Sequence, residues 1–166
     1  MPAPEILRRL KLTGRRFFIY NVKFVCGIQK NKFENDCEGA ILSRGIYSTE
    51  INILNYGIKE VTIGKLFTPV VLNNKPIARE PKVMKPLGFD RVTLPPLHAT
   101  MDDCCKIAEI LKPANADELL KVGFIEIISP VQLEVVAVYT VTDLEQTHPT
   151  INVVPIEPRP LSFVLG

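Results

Sequence analysis

Residues 122–143 read VGFIEIISPVQLEVVAVYTVTD, the longest run of strand-forming residues in the chain, interrupted only at Ser129-Pro130. Proline has no amide hydrogen to give a sheet, so the run divides there into two arms. In the first arm Ile125 and Ile127 share one face and Glu126 takes the other; in the second, Leu133, Val135, Ala137, Tyr139 and Val141 alternate with Glu134, Val136, Val138 and Thr140. A period of two belongs to strands, and two in succession predict a hairpin at the centre of a sheet. Both faces of the second arm are largely apolar, which suits a strand covered by protein on each side.

The same period recurs along the chain. In residues 17–29, Phe18, Tyr20, Val22, Phe24 and Cys26 fall on one face and Asn21 and Lys23 on the other, which places Cys26 inward. Residues 45–56 set Tyr47, Thr49, Ile51 and Ile53 against Ser48, Glu50 and Asn52, and Asn55-Tyr56-Gly57 supplies a turn. Residues 60–72 follow so closely that the two runs are expected to pair antiparallel. Asn73-Asn74 makes the next turn, residues 75–86 with three prolines suit an edge, and residues 90–94 and 151–156 read as short strands.

One segment departs from this period. After Thr100-Met101-Asp102-Asp103 the run CCKIAEILK has helical spacing, with Thr100 and Asp103 approximating a capping box and Pro113 as its stop. Residues 113–122 extend it as a second helical turn ended by Gly123. With 14 prolines against 9 glycines, stiff connections between short strands are favoured over a helix bundle. The fold expected is mainly β: a single-domain antiparallel β-sandwich, Ig-like or jelly-roll-like, with a short helical insertion around 101–121. Residues 1–16 form a basic N-terminal arm, 17–159 the sandwich domain and 160–166 an apolar tail.

At 166 residues, 46% hydrophobic and 23% charged, the chain is long enough to bury one core without a metal or a disulfide framework. A net charge of +2 does not call for a nucleic-acid partner, although Arg8, Arg9, Lys11, Arg15 and Arg16 crowd the arm. No apolar run is long enough to span a bilayer, and MPAPEILRRLKL lacks the three-part pattern of a signal peptide.

Candidate chemistry is sparse. Cys104-Cys105, beside Asp102 and Asp103 and six residues after His98, is the densest cluster; a thiol in a first helical turn suits a nucleophile or a soft metal. Adjacent cysteines seldom face one ion, and no C-x-x-C pair supports zinc, so no metal or cofactor is expected. A structural role is simpler: inward-facing Cys26 forms a disulfide with Cys104 or Cys105, while Cys37 lies in a polar loop. Ser43, Ser48, Ser129 and Ser162 lack a G-x-S-x-G setting, His98 and His148 sit in loops, and no phosphate-binding glycine motif is present. Asp102, Asp103, Glu109, Glu134 and Asp143 do not fall in a calcium-loop array and read as solvated acids.

The strands FFIYNVKFVCG, GIYSTEINILNY and GFIEIISPVQLEVVAVYTVTD, followed by TINVVPIEPR, resemble a group of uncharacterised bacterial β-sandwich proteins over roughly residues 17–159. The resemblance implies a fold and no established activity. Many of those proteins look exported, so the resemblance implies an extracellular or cell-surface location. This chain departs from them in showing no signal-peptide pattern and in having the DDCC segment and the apolar tail, which leaves a cytoplasmic location open. The expectation for function is a non-enzymatic structural or interaction protein that assembles with copies of itself into an oligomer or filament. Its terminal arms would do so, through Ile6, Leu7 and Leu10 at one end and Leu161, Phe163, Val164 and Leu165 at the other. The alternative is a small-ligand or metal-binding domain using the region of His98, Cys104 and Cys105.

Overall fold

Strand β1 (Arg16–Gln29) connects everything else in the computed structural model, which describes residues 8, 16–30, 42–111 and 118–162. Along one side, Phe18 to Cys26 pair with β7 (Lys121–Ser129); on the other, Arg16 to Ile19 pair with β10 (Arg159–Ser162), and Gly27 to Gln29 pair with β2 (Gly45–Leu54). Each of these ladders is antiparallel. The strand therefore belongs to two groups, one at each end.

The first group runs β10, β1, β7, β3 (Val61–Leu72), with β4 (Lys75–Pro76) and β5 (Gly88–Leu94) both along the far edge of β3. In the second, β2 lies between β8 (Glu134–Thr142) on one side and β6 (Ala99–Asp103) on the other, and β9 (Thr150–Pro155) follows β8. One helix, α1 (Cys104–Leu111), continues directly from β6. The described fold is thus mainly β and antiparallel, a ten-stranded hydrogen-bonded network with one short helix.

Gly27 is where β1 changes partners. Its φ is +107°, a conformation that side-chain-bearing residues rarely adopt, and a Cβ there would lie 2.5 Å from the Leu119 carbonyl oxygen. The next amide, Ile28 N–H, donates to Glu118 O at 2.8 Å. A glycine lets the strand bend from β7 toward β2 while the 118–119 backbone closes over it.

The two groups share one core. Tyr20, Val22 and Phe24 of β1 cluster with Ile51 and Ile53 of β2, Ile63 and Phe67 of β3, Ile125 and Ile127 of β7, and Val135 and Ala137 of β8. Ile107 of α1 joins the same cluster. Each fully buried aliphatic or aromatic chain contributes about 1.5–3 kcal/mol by its removal from water. A smaller cluster of Phe17, Leu66 and Ile128 occupies the opposite face of the first group, so β3 and β7 carry apolar residues on both faces.

Several expectations change. The two arms of 122–143 do not pair with each other: β7 lies between β1 and β3, β8 between β2 and β9, and Ser129-Pro130 is a crossing between groups. Ser129 Oγ accepts the Val131 amide there at 3.2 Å. The runs expected to pair at 45–56 and 60–72 are likewise in different groups; the link turns on buried Asn55, whose Nδ2 donates to Lys59 O at 2.9 Å and Leu94 O at 3.0 Å. Periodicity determines which residues face inward, not which strand lies alongside.

The capping box also changes. Thr100 lies in β6, opposite Ile53, and the helix begins at Cys104 with Asp103 as its cap, Oδ1 accepting the Lys106 amide at 2.8 Å. Of the expected second helical turn, 113–122, residues 113–117 lie outside the described residues and the remainder is not helical: Leu119 bridges to Ile28, and Lys121 and Val122 open β7. The C-terminal tail starts inside the network, since Leu161 pairs with Phe17. Asn73 and Asn74, at φ 53° and 63°, form the expected turn, which closes the β3–β4 hairpin. Among the described residues no helix is long and apolar enough to cross a membrane.

Candidate functional site

Strand β3 reads VTIGKLFTPVVL, and its inward period through Ile63 and Phe67 passes through Lys65. The lysine side chain is accordingly buried, only 2% exposed. Two strands bring it carboxylates. Antiparallel β5 sets Asp90 directly across from Lys65, and Nζ lies 2.9 Å from Asp90 Oδ2. From the second group, β6 turns Met101 and Asp103 outward and Asp102 inward, opposite buried Ile51. Nζ of Lys65 donates to both Asp102 oxygens, at 2.7 and 3.0 Å, and the Asp102 side chain is 1% exposed.

Removing charges from water costs several kcal/mol per ion, a penalty offset only by close, well-directed contacts. Here one ammonium serves two carboxylates, so the cluster holds an excess negative charge. The carboxylates respond differently. Burial pushes the Asp102 carboxyl above its ordinary value, outweighing the charge and hydrogen bonds of Lys65. Burial also acts on Asp90, yet the hydrogen bond and charge of Lys65, with the Arg91 amide, hold it below that value. Lys106 of α1 adds positive charge beside both. The result is a buried amine flanked by one carboxyl biased toward its neutral acid and one biased toward its anion, the arrangement by which proteins give two acids different roles.

A disulfide lies where β6 passes into α1. Cys26, 2% exposed on the inward face of β1, is bonded to Cys104 across 78 residues, with Cα atoms 5.6 Å apart. Thr49 N–H donates to Cys104 Sγ at 3.2 Å, and the Thr49 side chain bonds Val25 N and O, each at 2.9 Å. Closing a loop of that length stabilises by about 4 kcal/mol in the chain-entropy model.

Cys105 is a free, exposed cysteine, and Cys37 lies outside the described residues. His98 is not brought to the cysteines. It is exposed before β6, with Nδ1 2.8 Å from Pro96 O, and the whole of that five-residue strand separates it from Cys104. Among the described residues no group of three or more His, Cys, Asp or Glu side chains is arranged to hold a metal ion. His148 meets Asp143 at 3.0 Å and Thr147 at 2.8 Å, but both contacts fall on Nδ1, so the three residues close a loop and do not form an acid–base–nucleophile relay. Of the expected assembly residues, Leu161 is in β10, while Ile6, Leu7, Leu10, Phe163, Val164 and Leu165 lie outside the described residues.

Asp102 was expected among the solvated acids; it is instead one of the most buried side chains. The signal lay elsewhere, in a lysine at an inward position of the apolar run VTIGKLF, since a buried lysine needs a carboxylate.

No family model matches this chain, and no curated protein matches it. It is similar to the crystal structure of Thermotoga maritima 1070, with 14% identity over 88% of this chain and 96% of that one and a TM-score of 0.43. At that identity and score nothing about this chain follows from the likeness.

Proposed function

We propose that this chain is a non-enzymatic structural or interaction protein that assembles with copies of itself, and that its two strand groups are the layers of a β-sandwich. The sandwich reading is supported by the single core drawn from both groups and by the crossings at residues 55–60 and 129–133. The observation that carries the assembly reading is strand β9. Among the described residues it has one strand neighbour, β8, and its apolar residues Ile151 and Val153 are 66% and 59% exposed. Edge strands are ordinarily blunted by charge, proline or a covering segment, and an apolar open edge is a template for another strand.

The outer face beside it is consistent with this. Rows across β9, β8, β2 and β6 set Val153, Val138, Glu50 and Asp103 side by side, then Pro155, Val136, Asn52 and Met101. Apart from the neutral amide of Asn52, these rows hold apolar and acidic side chains and no lysine or arginine, whereas the N-terminal arm is apolar and basic. The arm of one copy suits that face of the next.

Size-exclusion chromatography with light scattering tests the reading. The full-length chain is expected as an oligomer, and the double variant Ile151→Lys/Val153→Lys as a folded monomer. A full-length chain that stays monomeric across the accessible concentration range overturns it. A truncation testing the tail belongs after Ser162, because an earlier end removes part of β10.

A further inference from the structure

We propose that Lys65 and Asp102 are the partners of an intramolecular isopeptide bond, formed by condensation of the lysine amine with the aspartate carboxyl, with Asp90 as the catalytic residue. The reacting groups are already in contact: Nζ reaches both Asp102 oxygens, at 2.7 and 3.0 Å, and Asp90 Oδ2 touches the same nitrogen at 2.9 Å. They are also dry, at 2% and 1% exposure. In water an amine and a carboxyl persist as ions that do not condense. Condensation requires the neutral amine and the neutral acid, which transfer of one proton from Nζ to Asp102 across their 2.7 Å contact would give, and burial favours an uncharged pair over a charged one. The opposite biases of the two carboxyls match that division: Asp102 becomes the neutral electrophile, and Asp90 stays an anion able to accept a proton.

The step balances without an outside reagent. After the proton transfer, the Asp102 carboxyl turns about Cβ–Cγ and the Nζ lone pair attacks Cγ, moving the carbonyl electrons onto oxygen. Asp90 Oδ2 takes a proton from the now positive nitrogen and delivers it to the hydroxyl of the tetrahedral centre. That hydroxyl leaves as water and the carbonyl re-forms. One N–C bond is made, one C–O bond is broken, one water is released, and Asp90 returns to its starting state. The contact geometry supplies the proximity that such a reaction lacks in solution.

The bond would join β3 of the first strand group to β6 of the second, a few residues from the point where Cys26–Cys104 also ties β1 to the start of α1. Unlike the disulfide, it persists under reducing conditions. It also does not depend on self-assembly.

Intact mass spectrometry of the folded full-length protein, reduced and alkylated, tests this. The expected mass is that of the sequence, allowing for alkylation, less one water. Trypsin cuts after Arg91, so Asp90 and Asp102 fall in different peptides, and the map should show the Lys65 peptide joined to the one containing Asp102 and left uncut at Lys65. Asp90→Asn, with folding checked by circular dichroism, should restore the full mass, as should Lys65→Arg. A wild-type protein at full sequence mass overturns the bond, and a linkage of Lys65 to Asp90 overturns the assignment of partners. A water loss undiminished in Asp90→Asn overturns the catalytic role. Should that variant fail to fold, the wild-type mass and peptide map still decide whether the bond exists.

Discussion

Tyr20 carries a polar atom into the apolar centre of the molecule and has it fully satisfied: its hydroxyl accepts the Leu133 amide at 2.7 Å and donates to the Leu133 carbonyl at 3.1 Å. One side chain of β1 thereby fastens the start of β8 after the chain has crossed between groups. Burial pushes its hydroxyl above the ordinary tyrosine value, so it remains a neutral donor across the working range. Tyr20→Phe keeps the ring and leaves a buried amide and carbonyl unpaired. Denaturant unfolding should show a loss of about 1–3 kcal/mol, and a change within error would mean that water replaces the hydroxyl. A second residue-scale case is exposed. Asp143 accepts from the Thr147 hydroxyl at 2.6 Å and the Thr147 amide at 2.8 Å, and with His148 these hold its carboxyl well below the ordinary 3.8. A depressed carboxyl stabilises the loop above the unfolded value and loses that contribution as pH falls through the folded one. In an NMR titration the Thr147 amide should therefore keep its bonded shift at pH 3.8, and Asp143→Asn should abolish the transition. A midpoint at or above 3.8 would show that the loop does not hold the anion.

At the scale of elements, the decisive feature is how β1 serves two groups. Its alternation was legible from Phe18 to Cys26, yet the period gives no sign that the strand changes partners at Gly27. Gly27→Ala places a methyl group against the Leu119 carbonyl and forces an unfavourable φ, so a loss of about 1–3 kcal/mol is expected by thermal or denaturant unfolding. An unchanged midpoint would mean that the 118–119 backbone yields without cost. The helix shows the converse. Its apolar spacing located it, but Thr100 to Asp103 went to β6 because pairing with β2 satisfies a row of backbone groups that one helical turn would leave to water. The same pairing points Asp102 inward.

For the whole molecule, the outer face of β9, β8, β2 and β6 is where the sequence reading and the fold differ in burial. Val136 and Val138 look like core residues in the sequence, and β8 reads there as covered on both faces; in the fold they are half-buried, beside exposed Ile151 and Val153. If that face meets a second copy, association should weaken with salt where Glu50 and Asp103 face basic side chains, and should fail with Ile151→Lys/Val153→Lys. Sedimentation at low and high salt would read this directly. Salt-independent association would assign the contact to apolar area alone.

The sequence by itself determined a mainly antiparallel β chain, the inward residues of β1, β2 and β7, the turn at Asn73-Asn74 and an inward Cys26. All of these follow from the two-residue period and from local backbone chemistry. Only the tertiary structure decided that the run at 122–143 is split between two strand groups, that β1 belongs to both, and that Lys65, Asp90 and Asp102 meet. Strand neighbours and buried charge partners depend on contacts between residues dozens of positions apart. The period of a single strand is the same whichever neighbour it acquires.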